Sequence, residues 1–281
     1  MNREKLKKRY SISFIGYGNV AYRLAISLQK YGHKIDCICG RDANKAKKLA
    51  YILNKEEHSA NEQDALPSQV FGSVDYANAA KSEIVILAVS DGAISKVARE
   101  FNLICKQKGS FPLVLHCSGA TPLEVLKEFP NYGVLYPLMT LSATKPVDFK
   151  MIPFFIESSS KEVSALLENI CISFNAEYRE IDSKERAQLH VAAVYVSNFI
   201  NYLTGLAFDL SKPNHIALMP LAIETIRKAF LYEPHLVQTG PAIRGDINTI
   251  NKHLKLLENF PEHKEVYELL TGNISKRRKE K

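Results

Sequence analysis

Residues 14–24 read FIGYGNVAYRL, and this stretch decides the fold. A strand-like run, YSISFIGYG, ends in Gly16-x-Gly18-x-x-Ala21, and a helical pattern follows with Val20, Leu24, Ile26 and Leu28. Each small residue suits a strand–turn–helix that holds a pyrophosphate. Gly16 permits the tight turn, Gly18 lets the backbone approach the phosphates, and Ala21 keeps the helix close to the sheet. The N–H groups and positive dipole of the helix N-terminus then meet the anion. A bare G-x-G-x-x-[GA] is common, but this one opens the first strand–turn–helix of the chain, inside a βαβ unit of the right length. Gly16, Tyr17, Gly18, Asn19 and Val20 are therefore candidate cofactor-binding residues. The bland alternative is a turn of this type that has lost its ligand.

Outward from this turn, strand and helix alternate. KIDCICGR is a second strand and DANKAKKLAYIL a second helix; EIVILAVS, nearly all apolar, suits a strand covered on both faces. AISKVAREF, FPLVLHCSG and TPLEVLKEF continue as helix, strand and helix. YGVLYPL and IPFFIES read as strands, SKEVSALLENICISF as a helix and EYREI as a closing strand. Such repeats call for a mainly parallel, doubly wound sheet. From Ser183 to about Lys212 the strand signal stops, and a long helix begins behind Asp182 and Glu185 at capping-box spacing. Further helices are expected over 214–231, 246–259 and from Pro261 onward. The expected architecture is α/β: a dinucleotide-binding, doubly wound sheet domain over 1–181 and an all-helical domain over 182–281.

Composition narrows the function classes. The 281 residues are 46% hydrophobic and 24% charged, as in a soluble globular protein with a sizeable core. No apolar h-region follows the basic start, and no apolar run reads as long enough to cross a bilayer, so no membrane partner is expected. The five cysteines (Cys37, Cys39, Cys105, Cys117, Cys171) form no C-x-x-C and suit a reducing cytoplasm. Much of the net charge of +7 sits in the terminal stretches REKLKKR and SKRRKEK, which read as solvated tails. Without a recognisable binding motif, no nucleic-acid partner is expected. The eight histidines form no H-E-x-x-H and pair with no cysteine at zinc spacing, so no metal is expected. No G-x-S-x-G marks a hydrolase.

The end of the second strand bears on the cofactor. NAD sites place an acid there for the ribose 2′-hydroxyl, NADP sites an arginine. Here Gly40 and Arg41 end the strand, Asp36 lies too early, and Asp42 follows. Arg41 can pair with a 2′-phosphate, which favours NADP; Asp42 keeps NAD open.

Six segments then carry a resemblance: FIGYGNVAYRL, AVSDGAISKVA, LHCSGATPLEVL, GVLYPLMTLS, AAVYVSNFINYL and TGPAIRGDINTINKHL. Together they resemble the Rossmann-like oxidoreductases with an uncharacterised helical C-terminal domain. These are relatives of pyrroline-5-carboxylate reductase and the deazaflavin-dependent NADP reductases, and more distantly of the 3-hydroxyisobutyrate and 6-phosphogluconate dehydrogenases. The resemblance implies an NADP-binding domain, a helical domain that dimerises, and an active-site cleft between them. It places Val89, Ser90 and Asp91 along the cofactor's ribose and nicotinamide, with Ser118 and Gly119 near the nicotinamide and substrate. His116 precedes them and reads better as a packed histidine. Tyr136-Pro137 stands where the family has His-Pro, which removes one proton donor.

The hydroxyacid dehydrogenase relatives carry Lys-x-x-x-Asn on the long helix; here Asn198 matches the asparagine and Val194 stands at the lysine. His190, one turn earlier, is the substitute proton donor, unless it is a satisfied helix histidine. On a straight α-helix His190, Val194, Ser197 and Asn201 share a face. In QTGPAIRGD, residues 238–246, Gly240-Pro241 turns the chain, Asp246 suits an N-cap, and Arg244 offers a fork for an anionic substrate or an internal ion pair. Thr249 and His253 extend that face. Catalytic candidates are thus His190, Asn198 and Arg244. Two functions stand: an NADP-dependent oxidoreductase acting on a small, anionic carbonyl or imine compound, or an NADP(H)-binding sensor or scaffold without turnover. The long helix, with Val191, Val194, Val196, Phe199, Leu203 and Phe208 spread around it, calls for burial on most sides and hence a homodimer.

Overall fold

The structure, a computed structural model, describes residues 8–60 and 69–279. The basic stretch before Lys8 and the last two residues lie outside the described residues. Eight strands form one sheet: β1 Ser11–Ile15, β2 Lys34–Cys39, β3 Phe71–Ser73, β4 Ile84–Leu87, β5 Leu113–His116, β6 Tyr132–Pro137, β7 Phe154–Ser158 and β8 Tyr178–Glu180. Their order is β3-β2-β1-β4-β5-β6-β7-β8. Strands β1 to β6 run parallel, β7 is antiparallel to β6, and β8 is parallel to β7. The sheet is thus mostly parallel and doubly wound, as the alternation of strands and helices required. Strand β3 escaped the sequence reading because FGS is too short to show a period.

Helices α1 Asn19–Lys30, α2 Ala43–Ala60, α3 Asp91–Lys108 and α4 Lys161–Ser173 pack on this sheet. Alternate residues of each central strand enter two separate cores, which is why those strands are apolar throughout. Phe14, Ile38, Ile86 and Leu115 join Leu24, Leu53 and Phe174 on one face. Ile15, Cys39, Leu87 and Val114 join Phe101 and Phe129 on the other. TPLEVLKEF, expected as a helix, is only a 3-10 turn over Leu123–Leu126, capped by Pro122.

The chain becomes all-helical at Ser183, but the compact N-terminal unit extends to Ser197 and the helical unit starts at Asn198. The start of the long helix stays tied to the sheet. In α5, Ser183–Val194, Asp182 and Glu185 form the expected capping box. Arg186, fully buried, is held by the Glu157 carboxylate on β7 and the Thr121 carbonyl at 2.6 Å. A π-helical stretch, Tyr195–Phe199, separates α5 from α6, Ile200–Ser211. The wider π turn shifts the helical register, so the expected straight face from His190 to Asn201 does not hold.

Within the helix Ser183–Ser211 an 18-residue window has a mean hydropathy of 1.3, so the helix is long and apolar enough to cross a membrane by length and composition. No such span was expected from the sequence, because polar residues interrupt the apolar ones. The helical unit continues with a 3-10 turn, His215–Leu218, then α7 Met219–Leu231, α8 Pro234–Val237, α9 Pro241–Arg244, α10 Ile247–Leu256 and α11 Pro261–Lys279.

Candidate functional site

The order of strands reverses between β1 and β4, and open α/β sheets bind ligands outside the carboxyl ends of strands at such a point. Gly16 leaves β1 with φ +128°, and its N–H donates to the Cys39 carbonyl at 2.8 Å. A Cβ there would lie 2.1 Å from the Ala88 carbonyl oxygen, so only glycine fits between the ends of β2 and β4. Gly18 differs: it caps α1 in ordinary extended backbone, and a Cβ would meet no heavy atom within 4 Å. The space is open where a pyrophosphate would approach.

Among the described residues no side chain caps α1 at Gly18, and the Ser90 side chain does not cap α3. Both helix N-termini therefore present N–H groups without a side-chain acceptor. They meet at one cavity of about 250 Å³ lined by Gly18, Asn19, Val20, Val89, Ser90, Asp91, Cys117 and Ser118, with Leu87 and Ala88. Seven expected cofactor residues are brought together there. Two uncapped N-termini and an open glycine cradle fit the diphosphate of a dinucleotide. Cys117, expected only as a reduced thiol, also lines the cavity; burial pushes its thiol up to about 12, so it stays protonated. Asn19 also holds a loop, its Oδ1 accepting from the Ala143 N–H at 3.1 Å. Arg23, likewise unforeseen, donates to the Ser142 and Ala143 carbonyls at 2.6 and 2.7 Å.

At the end of β2, the Tyr17 ring packs against Gly40, where a Cβ would stand 2.3 Å from the ring. Arg41 is exposed and makes no ion pair among the described residues. Both nearby acids are occupied. Asp42 caps α2, accepting from the Asn44 and Lys45 N–H groups at 2.9 and 3.1 Å. Asp36 accepts from the Ser82 hydroxyl at 2.7 Å and pairs with Lys34.

The other side of the site lies at β5, β6 and α5. The Ser118 hydroxyl accepts from the Ala120 and Thr121 N–H groups at 3.1 and 2.9 Å and shapes the turn after β5. His116 is wholly buried, its Nδ1 accepting from the Ser118 N–H at 3.2 Å. Burial, then the Arg186 charge, push it down to about 3, so it is a neutral, packed histidine. Gly119 lets two further side chains close over the turn: a Cβ there would lie 2.5 Å from His190 Nδ1 and 2.8 Å from Tyr136 Cζ. The Tyr136 hydroxyl and His190 Nδ1 are 3.0 Å apart. This pairing joins the residue that replaces the family histidine to the expected proton donor. Sequence spacing could not show it, because 54 residues separate them.

Asn198 lies in the π-helical stretch at the start of the helical unit. Arg244 is the exposed last residue of α9. Asp246 caps α10 as expected, through the Thr249 N–H at 3.0 Å and hydroxyl at 2.7 Å. His253 is taken by the Tyr267 hydroxyl at 2.8 Å. Among the described residues no group of three or more His, Cys, Asp or Glu side chains could hold a metal.

Residues 11–110 match the family described as NADP oxidoreductase, coenzyme F420-dependent, and residues 152–274 match a domain of unknown function, DUF2520. A search of curated proteins by sequence finds no match. Among solved structures, a candidate NADP oxidoreductase of Bacteroides fragilis, BF3122, is 33% identical with a TM-score of 0.80, over 95% of this chain and 98% of that one. Protein TM1727 of Thermotoga maritima is 19% identical with a TM-score of 0.64, over 96% and 98% of the two chains. A pyrroline-5-carboxylate reductase of Coxiella burnetii shares the fold at 18% identity and a TM-score of 0.52, over 97% and 98%. The open glycine turn at the strand-order reversal and the near-full-length likeness agree: the chain belongs to the NAD(P)-dependent oxidoreductases that join a coenzyme F420-dependent NADP oxidoreductase domain to a helical DUF2520 domain.

Proposed function

We propose that the protein is an NADP-dependent oxidoreductase that reduces, or in reverse oxidises, a small anionic carbonyl or imine compound. The observation that carries the choice of NADP is at the end of β2, where Asp42 is spent on capping α2 while Arg41 is exposed without an ion pair among the described residues. Its guanidinium is free for a 2′-phosphate. Gly16 to Val20 would hold the pyrophosphate, with Val89, Ser90, Asp91, Ser118 and Gly119 beside the ribose and nicotinamide. When bound, the nicotinamide supplies or accepts the hydride. His190 gives a proton to the substrate oxygen or nitrogen as negative charge builds there. Asn198 is a further hydrogen-bond donor to the substrate, and exposed Arg244 is the anchor for its anionic group.

The helical unit acts as a homodimer. Val191, Tyr195, Val196, Phe199, Leu203 and Phe208 are exposed on the long helix of a single chain. A second copy suits this surface better than lipid, because the Tyr202 hydroxyl on the same helix donates to the Glu262 carboxylate, and Asp209 pairs with Lys212. All five cysteines are free of disulfides, and Cys37 and Cys39 share a thiol–thiol hydrogen bond at 3.3 Å, which suits the cytoplasm.

The test is a screen of small oxo- and imino-acids, their phosphorylated analogues and a deazaflavin at fixed NADPH. His190→Ala should lower turnover of the substrate found by ~10²–10⁴ with NADPH binding unchanged. Normal turnover by that variant would move the proton to another donor.

A further inference from the structure

We propose that Tyr136 is a positioning residue: its hydroxyl oxygen accepts from His190 Nδ1–H, so that Nε2 alone exchanges protons with the substrate. The inference rests on the reading of His190 as the proton donor. The two atoms are 3.0 Å apart, and the rings meet edge to face with centroids at 5.9 Å. Tyr136 is only 8% exposed, at the carboxyl end of β6. His190 is carried there by α5, whose first turn is fixed by the capping box and by buried Arg186 on Glu157 and Thr121. Glycine at 119 leaves no side chain between the pair and the turn after β5. The pair therefore stands over the turn that holds Ser118, a wall of the cofactor cavity.

A phenol hydroxyl both donates and accepts, so the contact alone allows two arrangements. The chemistry selects one. During reduction the imidazolium breaks its Nε2–H bond and gives that proton to the substrate oxygen, which has gained the electron pair released as hydride adds to carbon. The ring is left neutral with its proton on Nδ1, and Nε2 regains a proton from solvent. During oxidation the bare Nε2 takes the proton of the substrate hydroxyl. Both directions need the Nδ1 proton to stay in place throughout, and the Tyr136 oxygen holds it. Burial first, and the charge of Asp91 second, raise the Tyr136 phenol above its usual range against the opposing charge of Arg186, so it remains a neutral partner. A free imidazole prefers the opposite, Nε2–H form, so this arrangement has a signature that needs no substrate.

The test is a long-range proton–nitrogen correlation spectrum of the nitrogen-15-labelled full-length protein above the titration range of histidine. The His190 signals are identified by their loss in His190→Gln. Neutral His190 should be in the Nδ1–H form, and Tyr136→Phe should return it to Nε2–H while melting temperature and NADPH affinity hold. Gly119→Ala, which forces the pair apart, should likewise return the ring to the Nε2–H form. A wild-type ring in the Nε2–H form overturns the proposal without any variant, as does a Tyr136→Phe ring that keeps Nδ1–H. Failure of His190 as the acid would show instead as normal turnover in His190→Ala, so the two ideas fail separately.

Discussion

Two glycines two residues apart should respond to alanine in opposite ways, because one shapes the fold and the other keeps space for a ligand. Alanine at 16 must hold a φ of +128° and place its Cβ 2.1 Å from the Ala88 carbonyl oxygen. A non-glycine residue in such a region costs ~1–3 kcal/mol, and overlap with backbone that cannot swing aside moves the expected loss to the top of that range, about 3 kcal/mol. In a domain of this size each kcal/mol lowers Tm by ~2–4 °C, which gives about 6–12 °C. Alanine at 18 meets nothing within 4 Å and keeps an ordinary φ of −74°. Its stability should stay within ~0.5 kcal/mol of wild type. Yet in the proposed site its Cβ would stand where the pyrophosphate comes closest to the backbone, so the NADPH dissociation constant should rise by about tenfold or more, ~1.4 kcal/mol. Melting followed by circular dichroism reads the first effect, and NADPH fluorescence titration the second. If Gly18→Ala binds NADPH as tightly as wild type, the cradle is not where the pyrophosphate lies.

Glu157→Ala should lower stability by ~3–5 kcal/mol, because it strands the fully buried Arg186; the double change Glu157→Leu with Arg186→Met should recover much of the loss in a denaturant titration, and no recovery would mean that packing dominates. His33, pushed down from 6.5 to about 4 chiefly by burial, is neutral when folded, so the unfolded chain binds more protons between those values and stability falls as pH drops from about 6.5 toward 4. His33→Gln should flatten that acid limb of a Tm-against-pH curve, and an unchanged limb would assign it to other groups. Light scattering at micromolar concentration should give the mass of two 31.6 kDa chains, and exchanging exposed Phe199 and Leu203 for Glu should give one; a wild-type monomer, or binding to lipid vesicles instead, refutes self-association.

The sheet was legible in the sequence because its strands bury both faces and break at glycines. Ile84 to Leu87 could be little else. The strand–glycine turn–helix was legible because its glycine spacing is local. Strand β3 was not, having three residues and no period. The π-helical stretch at Tyr195–Phe199 was invisible too, since YVSNF carries no helix-breaking residue, and it undid the shared face drawn from His190 to Asn201. The Tyr136–His190 contact depends on strand register, on the docking of α5 by Arg186 and on the missing side chain at Gly119. Long-range contacts of that kind leave no mark in spacing. Tyr136 could be flagged only as a departure from the family histidine.

The most direct measurement compares NADPH and NADH binding to the intact protein in one buffer, and repeats both with Arg41→Ala. A charge-assisted pair contributes ~1.5–3 kcal/mol, and Arg41 is exposed, which points to the lower end. NADPH should therefore bind about tenfold more tightly than NADH, and Arg41→Ala should remove most of that difference by weakening NADPH alone. Equal affinities in the wild-type protein, or no saturable binding of either cofactor, would contradict an NADP site at the ends of β1, β2 and β4.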